Sequence, residues 1–76
     1  MKDRRQVVRS LVDHLRNKFN VSVAEVDDLG VWRRATIGVV CVANETAFVH
    51  QVLDRVVNAV RGDPRASIID YQTEIL

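Results

Sequence analysis

The chain has 76 residues, a net charge of +1 and a hydrophobic content of 47%, which together fit one small globular domain and exclude a disordered chain. A single domain over residues 1–76 is therefore predicted. The single cysteine, Cys41, excludes an intramolecular disulfide framework and a metal site built from several cysteines. No signal peptide and no apolar run of ~18 residues is present, which predicts a cytoplasmic protein that does not enter membranes.

The first predicted element is an amphipathic helix over residues 2–19. Its apolar positions recur at helical spacing and are Val7, Val8, Leu11, Val12, Leu15 and Phe19. A strand is predicted over residues 21–26, where small and β-branched side chains follow one another. The segment 27–30 then favours a turn, since it contains two aspartates and Gly30.

A second strand is predicted over residues 32–43. Because both of its faces are largely apolar, we expect it to be central and covered on both sides. A second helix follows, with Asn44 as its N-cap and Gly62 as its terminator. Its apolar positions cover nearly half of its circumference, which favours an extra contact such as another subunit: Phe48, Val49, Val52, Leu53, Val56, Val57 and Val60.

A last strand is predicted over residues 66–76 from regular alternation. Ile69, Tyr71, Thr73 and Ile75 fall on one side, and Asp70, Gln72 and Glu74 fall on the other. The predicted order is thus αββαβ, which is a βαββαβ split sandwich without its first strand. The predicted fold class is α+β, ferredoxin-like, with an antiparallel sheet and two helices on one face.

Three segments resemble the YlxP-like family of small uncharacterised bacterial proteins. They are MKDRRQVVRSL over residues 1–11, FNVSVAEVD over residues 19–27 and WRRATIGV over residues 32–39. The resemblance implies a ferredoxin-like sandwich and no established enzymatic activity. Genes of such proteins often lie among translation and ribosome-maturation genes, which implies a role near RNA.

Members of that family carry about one strand of additional residues before the segment that opens this chain. In the usual sheet order, 4-1-3-2, that strand separates the two longest strands. Three explanations stay open: a true start upstream of Met1, direct parallel pairing of the last two strands, or a strand supplied by another chain. We favour the upstream start.

Two groups of residues are candidates for binding. Lys2, Arg5, Arg9 and Arg16 cluster within about a sixth of a turn on the first helix, at roughly 100° per residue, and could follow a phosphate backbone. The alternative is an ordinary solvated helix face. The second group is Trp32, Arg33 and Arg34, which could stack on a base or anchor a partner. The alternative there is that Trp32 covers the sheet edge while the two arginines form ion pairs with Asp27, Asp28 or Glu25.

The sequence contains no recognisable catalytic constellation, phosphate loop or metal-ligand spacing. His14 and His50 are predicted at the rims of the two apolar stripes, and neither has a histidine or cysteine three or four residues away. We therefore expect a non-enzymatic binding module without cofactor, metal or small-molecule substrate. Its expected partners are RNA or ribosomal particles, contacted by the basic side of the first helix. The alternative is protein interaction or homo-oligomerisation by strand pairing, through a sheet edge and the second helix.

Overall fold

In the part of the chain that the structure describes, the fold consists of two helices and a two-stranded antiparallel sheet. A computed structural model describes residues 4–27 and 34–76, in the order α1 (Arg4–Lys18), β1 (Ser22–Asp27), β2 (Thr36–Val40) and α2 (Thr46–Arg61). The predicted α+β class is confirmed, and the order αββα fits a ferredoxin-like split arrangement. The second strand is shorter than the predicted range 32–43.

The two strands pair with a register that fixes which side chains share a face. Val23 lies opposite Val39 and Ala24 lies opposite Gly38. The register shifts between Glu25 and Asp27, so β1 contains one extra residue there, as in a β-bulge. Strand alternation then places Val23 and Val39 on one face of the sheet and Ala24 and Gly38 on the other.

One face of the sheet and the apolar sides of both helices form the core. Its buried members are Leu11, Val12, Leu15, Val23 and Val56, and partly buried residues pack around them: Val8, Phe19, Val21, Ile37, Val39, Ala59 and Val60. Leu15 is fully buried. The predicted apolar stripe of α1 is thus confirmed, and both helices lie on the same face of the sheet.

The opposite face of the sheet is open, which corrects the prediction that β2 is covered on both sides. Val26 and Val40 are each 62% exposed, and Val42, just after β2, is 88% exposed. Both helices lie on the Val23 face, so in the part of the chain that the structure describes no element covers the other. An apolar composition on two faces was therefore not a reliable sign of double coverage.

The start of α2 also differs from the prediction. Glu45 is the N-cap residue, in an extended conformation and without a side-chain capping bond, and the first ladder bond runs from the Val49 amide to the Glu45 carbonyl at 3.2 Å. Asn44 thus lies one residue outside the position that could cap the helix, and its predicted role was wrong. The predicted end is confirmed, because Gly62 is the C-cap and its amide bonds the Asn58 carbonyl at 3.0 Å.

Residues 66–76 form no strand, so the predicted last strand was wrong. Among the described residues the sheet has two strands, and β2 pairs with β1 alone. Direct pairing of the last segment with β2 therefore does not occur here. An alternating sequence needs a neighbouring strand to satisfy its backbone, and residues 66–76 have none.

Candidate functional site

The predicted basic residues fall partly within the described segments. Arg5, Arg9 and Arg16 lie on α1, and all three are exposed. Arg34, just before β2, is exposed as well. Lys2, Trp32 and Arg33 lie outside the described residues.

Arg16 differs from the other two helix arginines because its guanidinium is bonded to the backbone of the sheet. Its Nε and Nη2 atoms donate to the Val23 carbonyl at 3.1 and 2.7 Å. Its Nη1 atom also lies 3.9 Å from Asp13, one turn earlier, in an exposed ion pair. Arg16 thus fastens α1 to β1, a role that helical spacing alone does not reveal.

Arg5 and Arg9 remain available to a ligand. Neither forms an ion pair with any residue in segments 4–27 and 34–76, and both side chains point into solvent. With a spacing of four residues they stand one above the other on the helix surface. We call Arg5 and Arg9 together the α1 basic pair.

The topology brings Arg34 to the same end of the molecule as the α1 basic pair. The connection between α1 and β1 is short, so β1 runs antiparallel to the helix. The hydrogen bond from Arg16 to the Val23 carbonyl shows that these two residues lie side by side. The length of β1 from Val23 to its last residue is about 13 Å, which equals the length of about nine helical residues. The end of β1 therefore lies toward the first two turns of α1, and the start of β2 is paired to it.

The two predicted groups were separate in the sequence. The fold turns Arg34 toward the end of α1 that carries Arg5 and Arg9, whereas Arg16 lies in the last turn of the helix, beside Val23. Sequence analysis missed this arrangement because it depends on how the hairpin folds back over α1. It also missed Arg65, which lies beside α1 although it is distant in the chain. Its Nη1 atom donates to the Ser10 hydroxyl at 3.1 Å.

The charge of Arg65 is compensated within the protein. Its Nε and Nη2 atoms donate to the two carboxylate oxygens of Asp63 at 3.0 and 2.8 Å, and its own amide donates to the same carboxylate at 2.9 Å. These hydrogen bonds from Arg65 lower the pKa of Asp63 from 3.8 to about 2. Arg65 therefore ties the segment after α2 to α1 and adds little to the positive field there.

The chemistry-bearing side chains elsewhere in the described segments are dispersed. No group of three or more histidine, cysteine, aspartate or glutamate residues among them is placed to hold a metal ion. His14 and His50 are exposed on different helices, as the sequence predicted, and Cys41 is a half-buried free thiol. Neither helix described here combines the length and the apolar character required to cross a lipid bilayer.

Comparison with known proteins gives a family and one curated relative. The chain is 27% identical over 74 residues to "Uncharacterized protein YlxP" of Bacillus subtilis (strain 168), which covers 97% of this chain and 80% of that protein. No solved structure matches the chain. The model of a family described as "Protein of unknown function (DUF503)" matches residues 1–73. The chain therefore belongs to this family, in agreement with the YlxP-like resemblance of its sequence.

Proposed function

We propose that this protein is a non-catalytic module that binds RNA or ribosomal particles through the α1 basic pair. The supporting observation is the contrast between neighbouring arginines. Arg16 and Arg65 are bonded within the protein, whereas Arg5 and Arg9 are exposed without an ion pair in the described segments. Cations that the fold does not use can neutralise phosphates and release counterions.

The end of the hairpin extends this surface. The start of β2 is paired to the end of β1, which lies toward the first two turns of α1, and we propose that a phosphate chain along Arg5 and Arg9 extends toward Arg34. Backbone phosphate contacts of this kind position a nucleic acid without reading its sequence. The proposed binding is accordingly electrostatic and dependent on salt.

The first test is co-sedimentation of the purified protein with bacterial ribosomal particles at low and at high salt. Salt-sensitive binding supports the proposal. A second experiment, fluorescence anisotropy with a single-stranded RNA oligonucleotide, would then measure how the affinity for RNA changes with salt concentration. Absence of binding to both probes at low salt would overturn the proposal.

Reversing the charges of the α1 basic pair then tests whether this surface is the RNA-binding site. Arg5→Glu combined with Arg9→Glu should weaken RNA binding and lower the slope of log affinity against log salt by about 0.7 per lost phosphate contact. Arg55→Glu is a matched control, because Arg55 is exposed on α2 and its reversal makes the same charge change as either single variant. If Arg9→Glu and Arg55→Glu weaken binding equally, the effect is one of net charge, and the α1 basic pair is not the site.

A second proposal, from a different class, is protein interaction or self-association through a sheet edge and α2. It is supported by the exposure of large apolar side chains: Val40 and Val42 on the open sheet face, and Phe48, which is 51% exposed near the start of α2. An apolar or strand-pairing contact depends little on salt. Co-sedimentation that survives high salt would therefore favour this proposal over RNA binding.

A further inference from the structure

The two edges of the sheet differ in whether another strand can reach them. At the outer edge of β1, the Val23 carbonyl already accepts two hydrogen bonds from Arg16. An incoming strand would have to displace that guanidinium to use the same acceptor. A charged side chain laid on an edge strand is a known way to prevent strand addition.

Among the described residues no strand pairs with the outer edge of β2, and the register shows which groups of β2 face outward. The Val23 carbonyl points away from β2 toward Arg16, so the Val23–Val39 pair is of the type without mutual hydrogen bonds. The amide and carbonyl of Val39 therefore point away from β1, to the open edge. Ile37, two residues earlier, presents its backbone groups in the same direction.

Several apolar side chains of β2 and α2 are incompletely covered. Ile37 and Val39 are only partly buried, and so are Val49, Leu53 and Val57 of α2. An extended segment that paired with β2 would place alternate side chains against these residues. The ligand that fits is therefore a strand with apolar residues at every second position.

The chain itself contains such a segment. Ile69, Tyr71, Thr73 and Ile75 occupy alternate positions, and the side chains of Ile69, Tyr71 and Ile75 are 71%, 53% and 46% exposed. The residues between them include Asp70 and Glu74, which would face solvent on the outer side. Apolar side chains in this number are seldom left in water when a fitting surface exists.

Within one chain, this segment is held away from β2. Arg65 attaches its beginning to Ser10 of α1, and the Arg61 guanidinium lies 5.7 Å from the centre of the Tyr71 ring. No backbone hydrogen bond joins the segment to β2 in the described part of the chain. A second copy can supply the segment while the Arg65–Ser10 hydrogen bond in its own chain stays intact.

We infer that the C-terminal segment, residues 68–76, of one copy adds as a strand to the open edge of β2 in a second copy. Because each copy has both the segment and the edge, the exchange is reciprocal and closes as a two-fold dimer. This inference rests on the second proposal above, for which it names the occupant. It is independent of RNA binding by the α1 basic pair.

The test is light scattering coupled to size-exclusion chromatography on the full chain across a range of concentrations. A dimer that dissociates on dilution is expected. Ile69→Asp should raise its dissociation constant by about tenfold or more, since a carboxylate would enter the apolar side of the exchanged strand. Gln72→Asp is the control, because it introduces the same charge on the outer side and should leave the dimer nearly unchanged.

Hydrogen exchange gives an independent readout at the edge itself. The Val39 and Ile37 amides should exchange slowly in the dimer and fast in the Ile69→Asp variant, while helix amides stay protected in both. A monomer at all concentrations would overturn the inference, as would equal weakening by the two variants. A monomer that still sediments with ribosomal particles at high salt would overturn the dimer and leave the broader interaction proposal standing.

Discussion

Removal of the Arg16 guanidinium should destabilise the protein much more than removal of a neighbouring arginine. The variant is Arg16→Met, which keeps an unbranched stem of high helix propensity but has no hydrogen-bond donor. It loses the bonds of 3.1 and 2.7 Å to the Val23 carbonyl and the 3.9 Å ion pair with Asp13. The Val23 carbonyl is then left at the sheet edge without its partner.

The magnitude follows from the exposure of the side chain. Hydrogen bonds from a charged donor are worth about 1.5–3 kcal/mol when well shielded. The Arg16 side chain is 53% exposed, so solvent competes, and about 1 kcal/mol is a reasonable value for the bonds to Val23. The ion pair with Asp13 is exposed and long, and adds at most about 0.5 kcal/mol.

Urea unfolding followed by circular dichroism measures this difference. Arg16→Met should reduce the free energy of unfolding by about 1–1.5 kcal/mol, equivalent to a fall of several degrees in Tm for a domain of this size. Arg9→Met is the matched control on the same helix and should change stability by less than about 0.5 kcal/mol. Asp13→Asn isolates the ion pair and should also have a small effect. Equal destabilisation by Arg16→Met and Arg9→Met would refute the proposed attachment of α1 to β1.

Three further predictions concern the core, the loop after α2 and the open sheet face. Leu15→Ala should cost about 3 kcal/mol in urea unfolding because Leu15 is fully buried, and a cost below about 1 kcal/mol would contradict its central position. The lowered pKa of Asp63 stabilises the fold above about pH 4, and this contribution is lost as the pH falls toward about 2. Asp63→Asn should therefore lower the free energy of unfolding by at most about 1 kcal/mol at pH 7 and flatten its pH dependence between about pH 4 and 2. An unchanged pH dependence would show that the Asp63–Arg65 contact does not cause it. Gly38→Ala should change the free energy of unfolding by less than about 0.5 kcal/mol. The new Cβ meets the Val26 Cγ1 at 3.0 Å, but Val26 is exposed and can move, and alanine lowers the conformational entropy of the unfolded chain. A loss above about 1 kcal/mol would show that Val26 is fixed.

The sequence predicted elements well where their stability is local. The apolar stripe of α1, with Leu15 buried at its centre, follows from helical periodicity, and the end of α2 follows from Gly62. The predicted strand over residues 66–76 failed because a strand requires a neighbour, and alternation in one segment says nothing about whether one is present. The predicted double coverage of β2 failed for a related reason, since coverage depends on where the helices pack.

The same distinction applies to the candidate site. Helical spacing placed the arginines of α1 on one side of the helix, but it could not show that Arg16 is bonded to Val23 while Arg9 has no ion pair in the described segments. That difference arises from the path of β1, which is a tertiary property. The direction of Arg34 toward the end of α1 that carries Arg5 likewise appears only when β1 and β2 are placed along the helix.

The continuous order of α1, β1 and β2 has a consequence for how the protein folds. These elements occupy the first half of the chain, and the main contacts between them join α1 to the strand that follows it and that strand to its hairpin partner. Contacts over short sequence separations form first, because closing a short loop costs less entropy. We therefore expect α1, β1 and β2 to form the folding nucleus and α2 to dock later, mainly through Val56. Substitutions at Leu15 or Val23 should then slow folding, whereas Val56→Ala should mainly accelerate unfolding, so that the second helix governs how long the native state persists once it is reached.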